Sequence, residues 1–143
     1  MLKPLARETA ISHPGAVFRE GLALGQLRYM RCRDCDAPQT LAPYACRRCG
    51  STRLAWSESA MKGTVHAVTT VARAPSEEFR AMAPYTLVLV DLQEGARLMG
   101  HGQADLAIGD EVIASFEELG TRGIVFFRRG ANPVCTSQTN EGA

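Results

Sequence analysis

The 143-residue chain lacks the side-chain patterns of the common catalytic motifs. It has no GxSxG nucleophile motif, no phosphate-binding P-loop and no GxGxxG dinucleotide motif. Its three histidines, His13, His66 and His101, have no metal-binding partner at helical spacing. His101 stands between two glycines, where we expect a structural role, and His66 is expected at or near the surface. The sequence therefore predicts no catalytic residues in this chain.

Long hydrophobic runs are also missing. The longest, Leu87 to Val90 with its neighbours, has the length of a β-strand, far short of the ~18 residues of a transmembrane helix. The N-terminal segment MLKPLARETAISHPG lacks the apolar centre of a secretory signal. With an ordinary hydrophobic content of 45%, these features predict a cytoplasmic protein of one domain, or of two very small domains that share an interface.

An excess of one charge is absent overall, since the net charge is +1, but the two halves differ. Residues 1–60 carry nine Lys/Arg against five Asp/Glu, whereas residues 61–143 carry seven against ten. Aromatic residues make up only 6% of the chain, and Tyr85 is the one aromatic residue on the middle strands of the fold predicted below. A site for single-stranded nucleic acid needs a basic groove and stacking aromatics, so these features weigh against such a site without excluding it.

Cysteine is sparse as well, yet four of the five cysteines form two close pairs, CRDC and CRRC, separated by ten residues. Two residues between paired cysteines let one tight turn direct both sulfurs at a single ion, and two such turns complete a tetrahedron. The position after each pair often needs a positive φ, which glycine adopts freely and aspartate tolerates; Gly50 and Asp36 stand there. The sequence predicts a zinc ribbon with four ligands: Cys32, Cys35, Cys46 and Cys49.

A zinc ion with four cysteine ligands has no free position for water or substrate, so the predicted ion is structural. Two disulfides are an alternative, but paired CxxC motifs in a reducing cytoplasm favour metal. A redox CxxC would not explain the second pair. Cys135 is left over in a polar tail as an incidental free thiol.

Arginines crowd the predicted ribbon at six positions: Arg28, Arg31, Arg33, Arg47, Arg48 and Arg53. One interpretation is that they meet phosphates or an acidic protein surface. The other is that they offset the net negative charge of a zinc ion with four thiolates. The sequence leaves both interpretations open.

The remaining pattern predicts a mainly β protein with a short N-terminal helix at about residues 14–24, which Gly25 would end. Strand-like segments flank the cysteines, and Trp56 is expected in a packing role. Five strand-like segments follow, at 62–73, 84–92, 96–102, 111–116 and 123–129. Their number and spacing suit a five-stranded OB-fold barrel, although a small sandwich fits the periodicity nearly as well.

These segments divide the chain into four parts: a lead-in and helix at 1–25, the zinc ribbon at 26–60, the OB-fold at 61–130 and a disordered tail at 131–143. The segment 74–83 is longer than a hairpin needs and carries Phe79 and Met82 among charges. It is either a binding loop or a short capping helix whose Phe79 plugs the end of the barrel.

The order of these features resembles the DUF35 family. The resemblance runs through GLALGQLRYMRC, the two cysteine pairs, Trp56, KGTVHAVTTV and APYTLVLVDLQEG, and covers roughly residues 14–128. The cysteine spacing occurs in many ribbons, whereas its combination with GTV and PYTLVLVDL-x-EG is much more specific. Members of this family join an N-terminal helix and a rubredoxin-like zinc ribbon to a C-terminal OB-fold.

The resemblance implies a non-catalytic accessory subunit of a thiolase-like acyl-CoA enzyme. Such a subunit orders a thiolase-like or acyl-CoA hydratase-like partner in a hetero-oligomer and helps to enclose a coenzyme A thioester while a carbon–carbon bond forms or breaks. On this expectation Arg47 and Arg48 offer cations to the CoA phosphates, and Phe79, Met82 and Tyr85 contact the pantetheine arm or the partner. Fold alone does not settle function, so nucleic-acid binding and free-standing acyl-CoA binding remain alternatives.

Overall fold

The computed structural model describes residues 14–39, 43–119 and 122–130, which form two helices and eight strands. The elements, in chain order, are α1 Pro14–Ala23, β1 Arg28–Cys32, β2 Pro38–Gln39, β3 Leu54–Glu58, β4 Lys62–Val71, α2 Glu77–Arg80, β5 Tyr85–Leu92, β6 Arg97–Gly102, β7 Glu111–Leu119 and β8 Arg122–Arg129. Neither of these two helices has the length and apolar character needed to cross a membrane. Residues 1–13 of the predicted lead-in and helix segment, the predicted tail at 131–143 and Cys135 lie outside the described residues, and so does His13.

The predicted N-terminal helix is present, ends at Ala23 and is capped by the predicted glycine. Gly25 has a φ of 75°, a left-handed conformation that costs glycine little. Its N–H donates to the carbonyl of Leu22 at 3.1 Å, and the N–H of Gln26 donates to the carbonyl of Gly21 at 2.7 Å. These are the two hydrogen bonds of a Schellman C-cap. Phe18 and Leu22 pack against the main core, which stabilises a helix too short to persist alone.

The ribbon is a three-stranded antiparallel sheet in the order β2-β1-β3. β1 pairs with β3 over five residues, from Arg28 opposite Glu58 to Cys32 opposite Leu54. β2 adds only two residue pairs on the other edge of β1. Trp56 is half-buried on β3. A sheet this small has little apolar core of its own, so its stability must come from elsewhere.

The strands β4 to β8 close into a five-stranded barrel in the order β4-β5-β6-β8-β7. β7 returns to pair with β4 over three residues, and this pairing closes the sheet on itself. A bulge between Val65 and Ala67 shifts the register of β4 against β5, as is common where a barrel strand bends. The predicted OB-fold is therefore confirmed, and the sandwich alternative is wrong.

One apolar core joins the ribbon to the barrel. Leu27 and Tyr29, at the base of β1, are buried in the same cluster as Val88 of the barrel. Ser59, which follows β3, donates its N–H to the carbonyl of Leu27 at 2.7 Å and its hydroxyl to Glu94 at 2.9 Å. Buried side chains and hydrogen bonds together therefore set the position of the ribbon against the barrel.

Candidate metal centre and arginine groove

The four paired cysteines converge between the two turns of the ribbon, and their Sγ atoms all lie within 4.8 Å of one another. Cys32 Sγ is 3.6 Å from Cys49 Sγ, and Cys35 Sγ is 3.6 Å from Cys46 Sγ. Sulfurs placed tetrahedrally at about 2.3 Å from a zinc ion would be about 3.8 Å apart. The four cysteines are therefore positioned to bind one metal ion.

Two turns of the same construction hold the sulfurs. Asp36 has a φ of 63° and donates its N–H to the carbonyl of Cys32 at 3.0 Å. Gly50 has a φ of 79° and donates its N–H to the carbonyl of Cys46 at 2.9 Å. These are the two positions for which the sequence predicted a positive φ. In the second turn the N–H of Arg48 also donates to Cys46 Sγ at 3.3 Å, a contact that favours a thiolate.

The thiols differ in how readily they ionise without a cation. The N–H of Cys49, with that of Arg48, lowers the pKa of Cys46 to about 6. The N–H of Ser51 lowers the pKa of Cys49, but desolvation and the neighbouring sulfurs outweigh it and raise that pKa to about 12. Thiolates this close repel one another, so they are not all ionised together unless a cation compensates their charge. Metal binding at this site should therefore release protons.

Gln39 on β2 is a buried polar side chain beside the sulfurs that the sequence did not single out. It is 2% exposed, and its Nε2 donates to Cys46 Sγ at 3.2 Å and to the carbonyl of Ala37 at 3.1 Å. Its Oε1 accepts the N–H of Arg47 at 3.1 Å. Gln39 therefore ties the second cysteine turn to β2, a role that became visible only from the strand pairing.

The six ribbon arginines fall into two groups. Three of them pair with nearby carboxylates of α1 or the ribbon: Arg28, Arg31 and Arg53. The other three are exposed and have no ion pair within the described ranges: Arg33, Arg47 and Arg48. The first group is occupied within the chain, whereas the second is available to an external anion.

Arg47 and Arg48 lie on a groove of about 620 Å³ between the ribbon and the barrel. Arg97 and Asp91 lie on its barrel side. Arg97 donates to Asp91 through Nε at 2.6 Å and Nη2 at 3.2 Å, and these bonds lower the pKa of the Asp91 carboxyl. Three arginines thus oppose one carboxylate among the described residues of the groove, so its excess charge is positive and suits an anion.

Arg97 is a groove residue that the sequence did not indicate. It lies 49 positions after Arg48, and only the pairing of β5 with β6 carries it toward the ribbon. Close packing fixes β2 against the barrel side of the groove, because a Cβ atom added at Gly95 would lie 2.7 Å from Cγ of Pro38 on β2. Glycine at the turn before β6 therefore lets β2 approach the barrel.

Phe79, Tyr85 and His101 form an aromatic cluster on the outer face of the barrel. The ring centroids of Phe79 and His101 are 5.9 Å apart in a stacked arrangement, and those of Tyr85 and His101 are 5.2 Å apart. The predicted short helix in segment 74–83 is present as α2, but Phe79 lies on this outer cluster and does not plug the barrel. Met82 is half-buried just after α2.

His101 takes part in this cluster as a packed ring. Desolvation lowers its pKa, and its Nδ1 is buried without a hydrogen-bond partner among the described residues. The neutral form is therefore favoured, in agreement with a structural role. His66 is exposed, and its Nδ1 lies 3.5 Å from Asp91.

The residues predicted for CoA form two separate surfaces. Arg47 and Arg48 share the groove with Asp91, near the end of β5, whereas Tyr85 begins that strand. Residues 85 and 91 are six positions apart, which corresponds to about 20 Å along an extended strand. The arginines and the aromatic cluster therefore do not line one common pocket.

Two family models match adjoining parts of the chain. The model described as the ChsH2 rubredoxin-like zinc ribbon domain matches residues 19–55, and the ChsH2 C-terminal OB-fold domain matches residues 56–117. The chain is also 30% identical over 98 residues to a DUF35 domain-containing scaffold protein of Methanothermobacter thermautotrophicus, covering 66% of this chain and 71% of that protein. It is 27% identical over 113 residues to a protein of the same name from Methanocaldococcus jannaschii, covering 73% and 79%.

Solved structures share this architecture. The structure titled Ltp2-ChsH2(DUF35) aldolase matches with a TM-score of 0.71 and 26% identity, covering 84% of this chain and 97% of that one. A DUF35-family protein of unknown function from Sulfolobus solfataricus matches with a TM-score of 0.58 and 15% identity, covering 87% and 90%, which is a likeness of fold. From its ribbon, its barrel and these relatives, the chain belongs to the DUF35 family.

Proposed function

We propose that this chain is a zinc-containing, non-catalytic accessory subunit of a thiolase-like acyl-CoA enzyme. Its role is to order the catalytic partner and to help bind and enclose the acyl-CoA while a carbon–carbon bond forms or breaks. The observation that carries the proposal is the similarity, over 84% of the chain, to the structure titled Ltp2-ChsH2(DUF35) aldolase. The name scaffold protein, borne by both archaeal relatives, supports the same role.

The partner in this proposal is a thiolase-like or acyl-CoA hydratase-like subunit that provides the catalytic residues. The complex is then a hetero-oligomer in which the present chain contributes binding surface. A partner that excludes water and positions the thioester can lower the barrier without any reactive group from this chain.

The ion of the ribbon is zinc in this proposal, held by Cys32, Cys35, Cys46 and Cys49. Four thiolates leave it no open position, so its contribution is to hold the two turns together. The sulfur spacing of 3.6 Å supports this assignment, since tetrahedral zinc requires about 3.8 Å.

Arg47 and Arg48 supply cations to the CoA phosphates. Both are exposed and unpaired with any described carboxylate, and both lie on the positively charged groove with Arg97. Guanidinium groups bind phosphate oxygens in a bidentate manner, which gives position as well as affinity. The groove is open, so a tightly held ligand needs a further wall, and the partner would provide it.

Phe79, Met82 and Tyr85 contact the partner rather than the pantetheine arm in this proposal. Phe79 and Tyr85 lie at the opposite end of β5 from the arginine groove, about 20 Å away by strand length. They are also already packed against His101. A protein surface can reach both regions at once, whereas a ligand bound in the groove would first have to cross the barrel face.

The test is affinity capture of the tagged chain from its own host, followed by measurement of CoA retention by the purified complex. We expect near-stoichiometric recovery of a thiolase-like or hydratase-like subunit. The double substitution Arg47→Ala/Arg48→Ala should reduce CoA affinity at least about tenfold, because each charge-assisted bond contributes about 1.5–3 kcal/mol. The matched control, Arg19→Ala/Arg73→Ala, removes two exposed arginines that do not line the groove and should retain CoA.

Three results would contradict the proposal. Capture of nucleic acid with a steep salt dependence would favour the nucleic-acid alternative. Tight binding of CoA esters by the isolated chain would favour a free-standing acyl-CoA-binding protein. Unchanged CoA retention in the double variant would remove the arginines from the ligand site, even if the partner is captured.

A further inference from the structure

The strand β5 is apolar on both of its faces. Its inward residues, Val88 and Val90, are fully buried in the core. Its outward residues Leu87 and Leu89 are apolar too, although they point away from that core and stay half-buried. A strand that is apolar on both faces is typical of sheets that are covered on both sides.

The strand register surrounds Leu89 with further apolar side chains. Leu89 lies opposite Ala67 on β4 and opposite Met99 on β6. Met99 is 61% exposed, a high value for a large apolar residue in the middle of a sheet. We call the surface formed by Ala67, Leu87, Leu89 and Met99 the β5 face.

Two other apolar side chains on the outer surface of the barrel are covered by the chain itself, whereas Ile113 on β7 is 42% exposed. The guanidinium of Arg128 lies over the ring of Phe126, 4.7 Å from its centroid. Phe79 from α2 packs against Tyr85, with 5.9 Å between ring centroids. The β5 face lies next to these covered side chains, and Met99 on this face remains in contact with solvent.

The size of the β5 face argues against a second copy of this chain as its sole occupant. Its four side-chain positions on three strands occupy about 130 Å² at ordinary strand spacings. A standard protein interface buries about 800 Å² on each side. The β5 face is therefore too small to hold a dimer, or any other protein partner, by itself, but it has the size and composition of an apolar anchor cluster within a wider interface.

The charges at the border of the β5 face are already paired. Asp91 forms two hydrogen bonds with Arg97, and the imidazole of His66 lies 3.5 Å from the same carboxylate. A charged side chain placed over this face would be buried without a free partner, which is costly. The complementary occupant is therefore apolar and uncharged where it contacts Met99.

We propose that the catalytic partner seats an uncharged, apolar helix or strand on the β5 face. This inference rests on the proposed function and specifies its contact surface. Asp91 and Arg97 border both the β5 face and the arginine groove. The subunit seated on the face therefore also covers the adjoining side of the groove, so one contact anchors the partner and encloses the CoA phosphates.

The test compares Met99→Asp with the control Ile108→Asp in the same capture experiment. Ile108 is 69% exposed, lies in the turn before β7 and is not one of the residues of the β5 face. Because both side chains are largely in solvent, both variants should fold with melting temperatures close to that of the native chain. We expect Met99→Asp to lower the recovered partner at least tenfold and Ile108→Asp to leave it unchanged.

A photo-crosslinking residue at position 99 identifies the occupant. The expected adduct joins position 99 to the thiolase-like subunit through an apolar peptide without Asp, Glu, Lys or Arg at the crosslinked site. Full partner recovery with Met99→Asp would overturn this inference while leaving the proposed function intact. A crosslink to a second copy of this chain, or to a charged segment, would also overturn it. Failure of the native chain to capture any acyl-CoA enzyme would instead reject the proposed function, and this inference with it.

Discussion

Removal of the metal should unfold the cysteine turns of the ribbon and leave the barrel folded. The substitution Cys46→Ser removes one of the four ligands, and a strong zinc chelator removes the ion from the native chain. The expected signature is loss of about one zinc per chain, measured by elemental analysis, together with loss of hydrogen-exchange protection between β1 and β3. Protection in the barrel strands should persist, because most of their core consists of barrel side chains.

The expected loss of stability in the cysteine turns is large because few apolar contacts stabilise them apart from the metal. The buried cluster there consists of small residues, Cys32, Ala37 and Cys46, with Cys35 and Leu54 packed against it. Full burial of one leucine contributes only about 2 kcal/mol. Ordering the backbone of ten turn residues costs on the order of 10 kcal/mol, and structural zinc contributes about 10–16 kcal/mol in small zinc-finger peptides. Without the ion, the ordered turns are therefore not stable.

The control for this experiment is Cys135→Ser, which removes the fifth cysteine. Unlike the other four, Cys135 has no second cysteine at CxxC spacing in the sequence. The control variant should keep its zinc and the native exchange pattern. A Cys46→Ser protein that retained one zinc per chain, with protected turns, would refute the four-ligand assignment. If the barrel unfolded at the same chelator concentration as the ribbon, the conclusion that the barrel remains stable without the metal would be refuted.

Two further predictions concern the barrel. Gly100→Ala should lower stability by about 1–3 kcal/mol, seen as a lower melting temperature, because the new Cβ would lie 2.8 Å from a ring carbon of Phe127. Asp110→Asn should lower the melting temperature at neutral pH, since the N–H of Ala107 and the guanidinium of Arg129 stabilise this carboxylate and lower its pKa. A lowered pKa contributes stability above the ordinary aspartate pKa and loses it as the pH falls through the native value, so the difference should vanish in strong acid.

Matched controls separate these effects from general damage. Gly123→Ala also adds a methyl group on a barrel strand, but its nearest contacts would be at 3.8 Å and 3.9 Å, so little change is expected. An equal loss in both glycine variants would contradict the packing argument. For Asp110→Asn, a melting difference that grew toward low pH would have the wrong sign for a stabilised carboxylate.

The sequence predicted well what depends on local chemistry. Cysteine spacing and the residue after each pair were enough to place Asp36 and Gly50 in the left-handed region, because a turn of two intervening residues has few solutions. The five barrel strands followed from alternation and turn residues. Sequence periodicity alone did not distinguish a barrel from a sandwich, since that choice depends on the pairing of β7 with β4.

The residues that sequence reasoning missed or misplaced depend on contacts between distant segments. Gln39 acts on Cys46 only because β2 pairs with β1, and Arg97 reaches the groove only because β6 pairs with β5. Phe79 was recognised as an apolar residue on a short helix, but nothing in its neighbourhood indicated an outer cluster rather than the barrel end. Its position follows from His101, which the chain brings there from another strand.

The candidate metal centre and the arginine groove share one turn of the ribbon. Arg47 and Arg48 are the two residues between Cys46 and Cys49, so the turn that brings those sulfurs together also sets where both guanidinium groups begin. Gln39 strengthens the link, because the same amide contacts Cys46 Sγ and the N–H of Arg47. The barrel supplies the third arginine independently of the metal. In the proposed complex, an ion that never touches the ligand would therefore still govern its affinity, because it positions two of the three described cations that line the groove.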